Sequence, residues 1–157
     1  MLKKGLLTAV MIAFVTVFAI GSLQAGNKVD DEIMMKSDYP HTKGIVTFTH
    51  KKHNEEYGAG CGQCHHDADN KPLNDLKMGD DVQKCIECHK KPGEVPKELK
   101  QEWKDKKVKK KEKDKLSREY HAEAMHDNCR TCHKQHNKKT KTKDAHTTCA
   151  KCHPKEG

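Results

Sequence analysis

The sequence predicts a mainly α chain with little regular structure, folded round prosthetic groups, with a short N-terminal β-hairpin and several short helices. Three observations predict it. Charged residues make up 34% of the 157, aromatic ones 4%, and mean hydropathy is −1.03. A chain this polar cannot bury enough apolar surface to offset its backbone entropy, and by composition alone it would be disordered. All 8 cysteines nevertheless fall into four Cys-x-x-Cys-His runs. Those runs begin at 61, 85, 129 and 149, a spacing too uneven for a solenoid of equal units.

The runs are Cys61-Gly62-Gln63-Cys64-His65, Cys85-Ile86-Glu87-Cys88-His89, Cys129-Arg130-Thr131-Cys132-His133 and Cys149-Ala150-Lys151-Cys152-His153. Cys-x-x-Cys-His is the attachment pattern of c-type haem: two thiols bond the vinyl groups and the His becomes an axial ligand of the iron. One Cys-x-x-Cys alone would serve equally as half a zinc site or as a redox-active disulfide. Zinc gives no reason for a His after every pair. A disulfide oxidoreductase needs a βαβ pattern around one pair, and none is visible. The expected cofactors are therefore four haem c, and His65, His89, His133 and His153 each supply one axial ligand. Haem is large, flat and mostly apolar, so the cofactors would be the core, and the apo-chain is expected to be unfolded.

Residues 1–25 read as a cleaved signal peptide. Lys3 and Lys4 form its basic start, Leu6 to Ile20 its apolar stretch, and Leu23-Gln24-Ala25 the cleavage site. The alternative, a retained anchor, is disfavoured by the short apolar stretch, so no stable membrane insertion is expected after cleavage. Residues 26–157 would form one tetrahaem domain in the periplasm, where such haem attachment takes place. The precursor carries a formal charge of +8; without Lys3 and Lys4, 29 basic residues face 23 acidic ones, near +6. Haem propionates offset much of that, so where the lysines sit matters more than the total.

Ile33-Met34-Met35 is an isolated apolar patch. Ile45-Val46-Thr47-Phe48 is β-branched or aromatic throughout and reads as a short strand, able to pair with it in a small hairpin. His50 and His53 follow at helical i, i+3 spacing, on one side of a helix, where they can point at two different irons. Between the first two runs, Asp80 or Asp81 is placed to cap a short helix into Cys85. A Lys-rich insert occupies about 92–118. It opens on Pro92-Gly93 and Pro96, and Lys97 to Lys115 holds ten Lys against five acids. Leu99 and Trp103, four apart, suit a helix with a thin apolar stripe; Glu102–Lys106 and Asp105–Lys109 have i, i+4 spacing. The insert reads as a solvated helix or linker, or as a basic docking face. Tyr120 to Asp127 reads as another short helix. It carries His121 and His126, five apart and facing different ways.

These residues resemble the class III tetrahaem cytochromes c, the cytochrome c₃ family of sulphate-reducing bacteria. Val46-Thr47-Phe48-Thr49-His50-Lys51-Lys52-His53 looks like the family's strand followed by HxxH. Cys61-Gly62-Gln63-Cys64-His65-His66 looks like its first haem site with the doubled His. Ala124-Met125-His126-Asp127 looks like its Met-His-Asp element. The resemblance runs from residue 33 onward, apart from the insert. It implies axial pairs His65/His50, His89/His66, His133/His53 and His153/His126. His41, His121, His136 and His146 are left as surface residues, with His121 the rival to His126.

Two bound imidazoles saturate an iron, so the resemblance implies a low-potential electron carrier and no catalytic residues. Its expected partners are hydrogenase, formate dehydrogenase and a membrane-bound cytochrome complex in anaerobic sulphate respiration. A monomer with no nucleic-acid partner is expected. Four uniform Cys-x-x-Cys-His runs resemble the family's second type, which pairs with a membrane redox complex. The insert and Lys134, Lys138, Lys139, Lys141, Lys143, Lys151 and Lys155 resemble the first type, whose basic patch docks hydrogenase. The alternative is a multihaem reductase of metal ions or small oxyanions, which would need one open iron.

Overall fold

A β-branched and aromatic stretch in a polar chain finds few apolar partners. In the computed structural model, which describes residues 29–155, it finds the Ile33 patch. Strand β1 (Ile33–Met34) and strand β2 (Thr47–Phe48) pair antiparallel, with Ile33 opposite Phe48 and Met34 opposite Thr47. The Met35 N–H continues the ladder to the Val46 carbonyl at 2.8 Å. The strand is shorter than 45–48 because Gly44 is drawn elsewhere. It is buried against Pro154, whose carbonyl a Cβ at residue 44 would overlap.

Helix α1 (His50–Glu55) starts directly after the strand, and its Lys51 N–H reaches back to the Asp31 carbonyl at 3.2 Å. The next stretch is turn chemistry. The Asp67 carboxylate accepts from the N–H of Asp69 (2.9 Å) and of Lys71 (2.8 Å), and Asn70 sits at φ 62°. The expected cap from this loop is absent at Asp80. Helix α2 (Cys85–Cys88) has Lys84 at its N-cap and no side-chain cap, because the Asp80 carboxylate closes the turn at the Lys77 N–H, 2.8 Å away.

The insert is helical. Helix α3 (Lys97–Asp105) follows Pro96, and helix α4 (Lys110–Ser117) follows a break in which Lys107 takes a left-handed φ of 50°. That break removes the expected Asp105–Lys109 pair, since the i, i+4 geometry ends with α3. The Glu102–Lys106 pair forms at 2.5 Å. The ends of the insert are clamped together. Lys91 N–H bonds the Glu119 carbonyl (2.9 Å), His121 N–H the Lys91 carbonyl (2.8 Å), and Ala122 N–H the Gly93 carbonyl (3.0 Å). The Lys91 ammonium adds an ion pair to Glu119 at 2.6 Å and lies over the Tyr120 ring.

Where a short helix was expected, α5 runs for 20 residues, His121–Thr140. No Gly or Pro interrupts 120–140, so nothing stops it at Asp127. It ends where Lys141 turns left-handed at φ 58°. One-turn helix α6 (Cys149–Cys152) closes the described chain. Among the described residues the buried hydrophobic side chains are Val95, Trp103 and Ala124, from the insert root, α3 and α5. No side chain there is fully buried. Among the same residues no helix is long and apolar enough to cross a membrane. The signal-peptide reading of 1–25 lies outside them.

Candidate functional site

Each Cys-x-x-Cys is a single helical turn, and the physical reason is local. In α2, α6 and the 3₁₀ turn Cys61–Gln63, the His that follows sends its backbone N–H to the carbonyl of the first Cys. Those bonds measure 2.9 Å for His89, 2.7 Å for His153 and 2.8 Å for His65. The third run lies inside α5. One turn sets the two thiols on one side, beside the imidazole. At Gly62 a side chain would push into Asn74, so the first turn needs glycine there for a close approach.

The eight histidines named above meet as four pairs. Ring centroids lie 6.4 Å apart for His50 and His65, and 5.9 Å for His66 and His89. They lie 6.1 Å apart for both His53 with His133 and His126 with His153. These gaps suit a bound ion. Imidazole nitrogen binds a metal at about 2 Å, so two rings facing one ion have centroids about 6 Å apart. Three pairs are steeply crossed, at 69°, 76° and 87°, whereas His53 and His133 are near parallel at 20°.

The outer nitrogens fix the chemistry of the inner ones. Nδ1 donates to a backbone carbonyl in five rings: His53 to Thr49 (2.8 Å), His66 to Asp67 (2.8 Å), His133 to His146 (2.6 Å), His153 to Gly44 (2.8 Å), and His89 to Arg118. A carbonyl can only accept, so Nδ1 carries the proton and Nε2 keeps its lone pair. Nδ1 of His126 faces the Glu94 carboxylate at 3.4 Å. That of His50 is buried without a hydrogen-bond partner. Burial, with His50 and His66 adding to it, holds His65 below the usual imidazole range, which favours the neutral form that binds metal.

Phe48 braces two pairs at once. Its ring lies 5.7 Å from His50 and 4.6 Å from His53, and Tyr57 backs His53 at 5.4 Å. Beside the fourth run lies an open cleft of about 400 Å³, lined by His41, Gly44, Cys149, Ala150 and His153.

The cysteines gather too, and all are unpaired. Burial pushes the Cys129 thiol up to about 11, with Cys64, Cys152, Cys85 and Cys132 adding to it. Burial likewise raises Cys64, Cys85 and Cys152. That upward direction is opposite to the lowered thiol of a disulfide oxidoreductase. Among the described residues no three His, Cys, Asp or Glu side chains gather so as to hold a metal ion. A zinc site needs three or four such donors, whereas a haem iron needs only two from the protein.

Of the four histidines outside the pairs, His41, His136 and His146 are exposed. His121 corrects the surface expectation: it is 8% exposed, with Tyr39 Oη at 2.9 Å and Ser37 Oγ at 3.2 Å from its Nδ1. A buried histidine needs such partners, and the distant 37–39 segment supplies them. Sequence reasoning also missed the carbonyls of Gly44, Arg118 and His146, because a backbone acceptor leaves no side-chain signature.

The family model of the class III cytochromes c matches residues 27–153. No curated protein matches the chain, and no solved structure does. A match over most of the sequence, on a chain whose cysteines all lie in haem-attachment motifs, shows that it belongs to the class III cytochrome c family, which binds haem c covalently and transfers electrons.

Proposed function

We propose that the chain is a periplasmic, low-potential electron carrier with four bis-histidine haems. The observation that carries this is the four ring pairs at 5.9–6.4 Å, each with one member next to a Cys-x-x-Cys. Cys61 and Cys64 would hold the haem of His65/His50, and Cys85 and Cys88 that of His89/His66. Cys129 and Cys132 would hold that of His133/His53, and Cys149 and Cys152 that of His153/His126. Bound haem supplies a one-electron Fe(III)/Fe(II) couple.

The chain's residues do the rest. Each histidine pair would hold one haem iron from both sides, which would leave no position for a substrate, and imidazole in place of Met would keep potentials low. Hydrogen bonds at Nδ1 lock the rings and raise their basicity, in the same direction. The doubled His65-His66 ties the first site to the second through adjacent residues, and α1 ties the first to the third through His50 and His53.

Charge marks the partner face. Residues 97–118 hold 11 Lys and Arg against five acids, whereas the rest of 26–157 balances at 18 of each. The net charge of the domain thus sits within 97–118, on α4 and on Lys106, Lys107, Lys109 and Arg118 at the helix ends, while α3 itself balances. Lys97, Lys104, Lys111 and Lys115 are exposed there. Such a face would steer the acidic surface of a hydrogenase or formate dehydrogenase, with a membrane-bound cytochrome complex receiving the electrons.

The test is the intact mass and visible spectrum of the protein from a host that matures c-type cytochromes. Residues 26–157 plus four haems, with a low-spin spectrum throughout, is the expected result. Fewer haems, or a high-spin component in the resting protein, would overturn the four bis-histidine sites and favour the reductase.

A further inference from the structure

We propose that Glu94 is a positioning residue for the His126/His153 site, and that its carboxylate lowers the reduction potential of that site alone. The inference rests on the four-haem reading above and goes beyond it. Among the eight paired histidines, five turn Nδ1 to a backbone carbonyl. Among the described residues, His126 alone of the eight has Nδ1 beside a carboxylate, Glu94 Oε1, at 3.4 Å.

The difference is one of charge. A carbonyl offers a dipole, and a carboxylate offers a full negative charge. A full negative charge beside the ring favours the more positive, oxidised metal through Coulomb attraction. Carboxylate–imidazole–metal chains act in this way in other metal sites. At 3.4 Å the contact is longer than a full hydrogen bond, but a Coulomb interaction falls off only with the first power of distance.

Glu94 is held in place although its side chain is 58% exposed. On one side, the Gly93 carbonyl accepts the Ala122 N–H at 3.0 Å. On the other, Val95 is 3% exposed and its N–H meets Glu123 Oε1 at 3.4 Å. Both anchors lie in the first turn of α5, three and four residues before His126. The insert root and the histidine therefore ride on one helix, and the Glu94 backbone cannot drift without breaking that clamp. Glu123 is engaged by Lys100 at 2.7 Å, which leaves Glu94 as the carboxylate facing the ring.

The experiment is a spectroelectrochemical titration of the holoprotein and of Glu94→Gln, Glu94→Asp and Glu98→Gln. NMR of the haem bonded to Cys149 and Cys152 assigns the affected couple. Glu94→Gln keeps an acceptor and removes the charge. It is expected to raise one of the four midpoint potentials, that of the assigned haem, while every haem stays low-spin. Glu94→Asp keeps the charge and should give a smaller rise. Glu98→Gln removes the same charge from the exposed side of α3 and should leave all four couples in place. The proposal is overturned if no couple moves, if all four move together, or if Glu98→Gln reproduces the shift. Counting haems in the parent protein first separates the two levels. Fewer than four would overturn the underlying reading, whereas four haems with an unmoved couple would overturn the role of Glu94 only.

Discussion

Two imidazoles about 6 Å apart have little reason to stay so. They are too far apart to bond each other, and in water neither gains by facing the other. Carbonyl partners hold five of the eight rings, because each bond fixes a ring plane and a tautomer together. The bonds also cross the sequence: His153 is held from Gly44, and His89 from Arg118. His126 is the pair member whose assignment had a rival, and the rival is occupied. His121 is buried with its Nδ1 at Tyr39 and Ser37, while the His126 ring lies 6.1 Å from His153. Replacing His126 with Ala should therefore turn one haem in four high-spin, read as a ferric high-spin EPR signal, and leave the others low-spin. The same change at His121 should leave all four low-spin.

At the scale of elements, the insert has its own apolar anchor. Trp103 is 8% exposed in a helix whose other side chains are mostly exposed. Truncation of a buried Trp costs about 3 kcal/mol or more. Trp103→Ala is expected to release α3 and α4, seen as protease cleavage within 97–118, with the haem spectrum unchanged. Changed haem spectra would mean that the insert supports the sites themselves.

His121 adds a pH dependence to the same clamp. Burial first, then His89 and His41, hold it below its ordinary value of 6.5. Above 6.5 it is neutral whether the clamp is closed or open, and its contacts are intact. As the pH falls below 6.5, the open form takes up the proton first, so stability is lost through that window. Hydrogen-exchange protection factors of the Lys91, His121 and Ala122 amides, corrected for the base-catalysed intrinsic rate, should fall as the pH drops below 6.5, and less so in His121→Gln.

For the whole molecule, the imbalance of charge makes a kinetic prediction. If α3 and α4 steer an acidic donor, Gln at Lys97, Lys104, Lys111 and Lys115 should slow electron uptake from hydrogenase at low salt. The change should also flatten the fall of the rate with ionic strength. Equal losses from Gln at Lys138, Lys139, Lys141 and Lys143 would move the docking face to the end of α5. The described fold has three buried hydrophobic residues and no fully buried side chain. Outside α3, α4 and α5, its backbone is held by short helices, a two-residue ladder and long-range bonds to imidazole, which are weak singly. Covalent haem suits such a chain, because it brings its own apolar bulk and shortens the free loops.

The sequence by itself determined the family and the four Cys-x-x-Cys-His turns, and the resemblance to that family implied which eight histidines would pair. Those features are local, or are carried by residue types with a single chemistry: a Cys-x-x-Cys-His run needs one helical turn, and α1 sets His50 and His53 on one side. Tertiary structure decided what depends on distant backbone. Gly44, just before the expected strand, packs against Pro154 and accepts from His153, and the ladder is cut to two residues. Tyr39 and Ser37 buried His121, which composition would leave in water. The break at Lys107 removed the Asp105–Lys109 pair, and an uninterrupted run past Asp127 made α5 long. Glu94 reached His126 because the chain closes on itself between Lys91 and Ala122. A carbonyl acceptor and a closed loop have no residue signature, so neither could be read before the chain was folded.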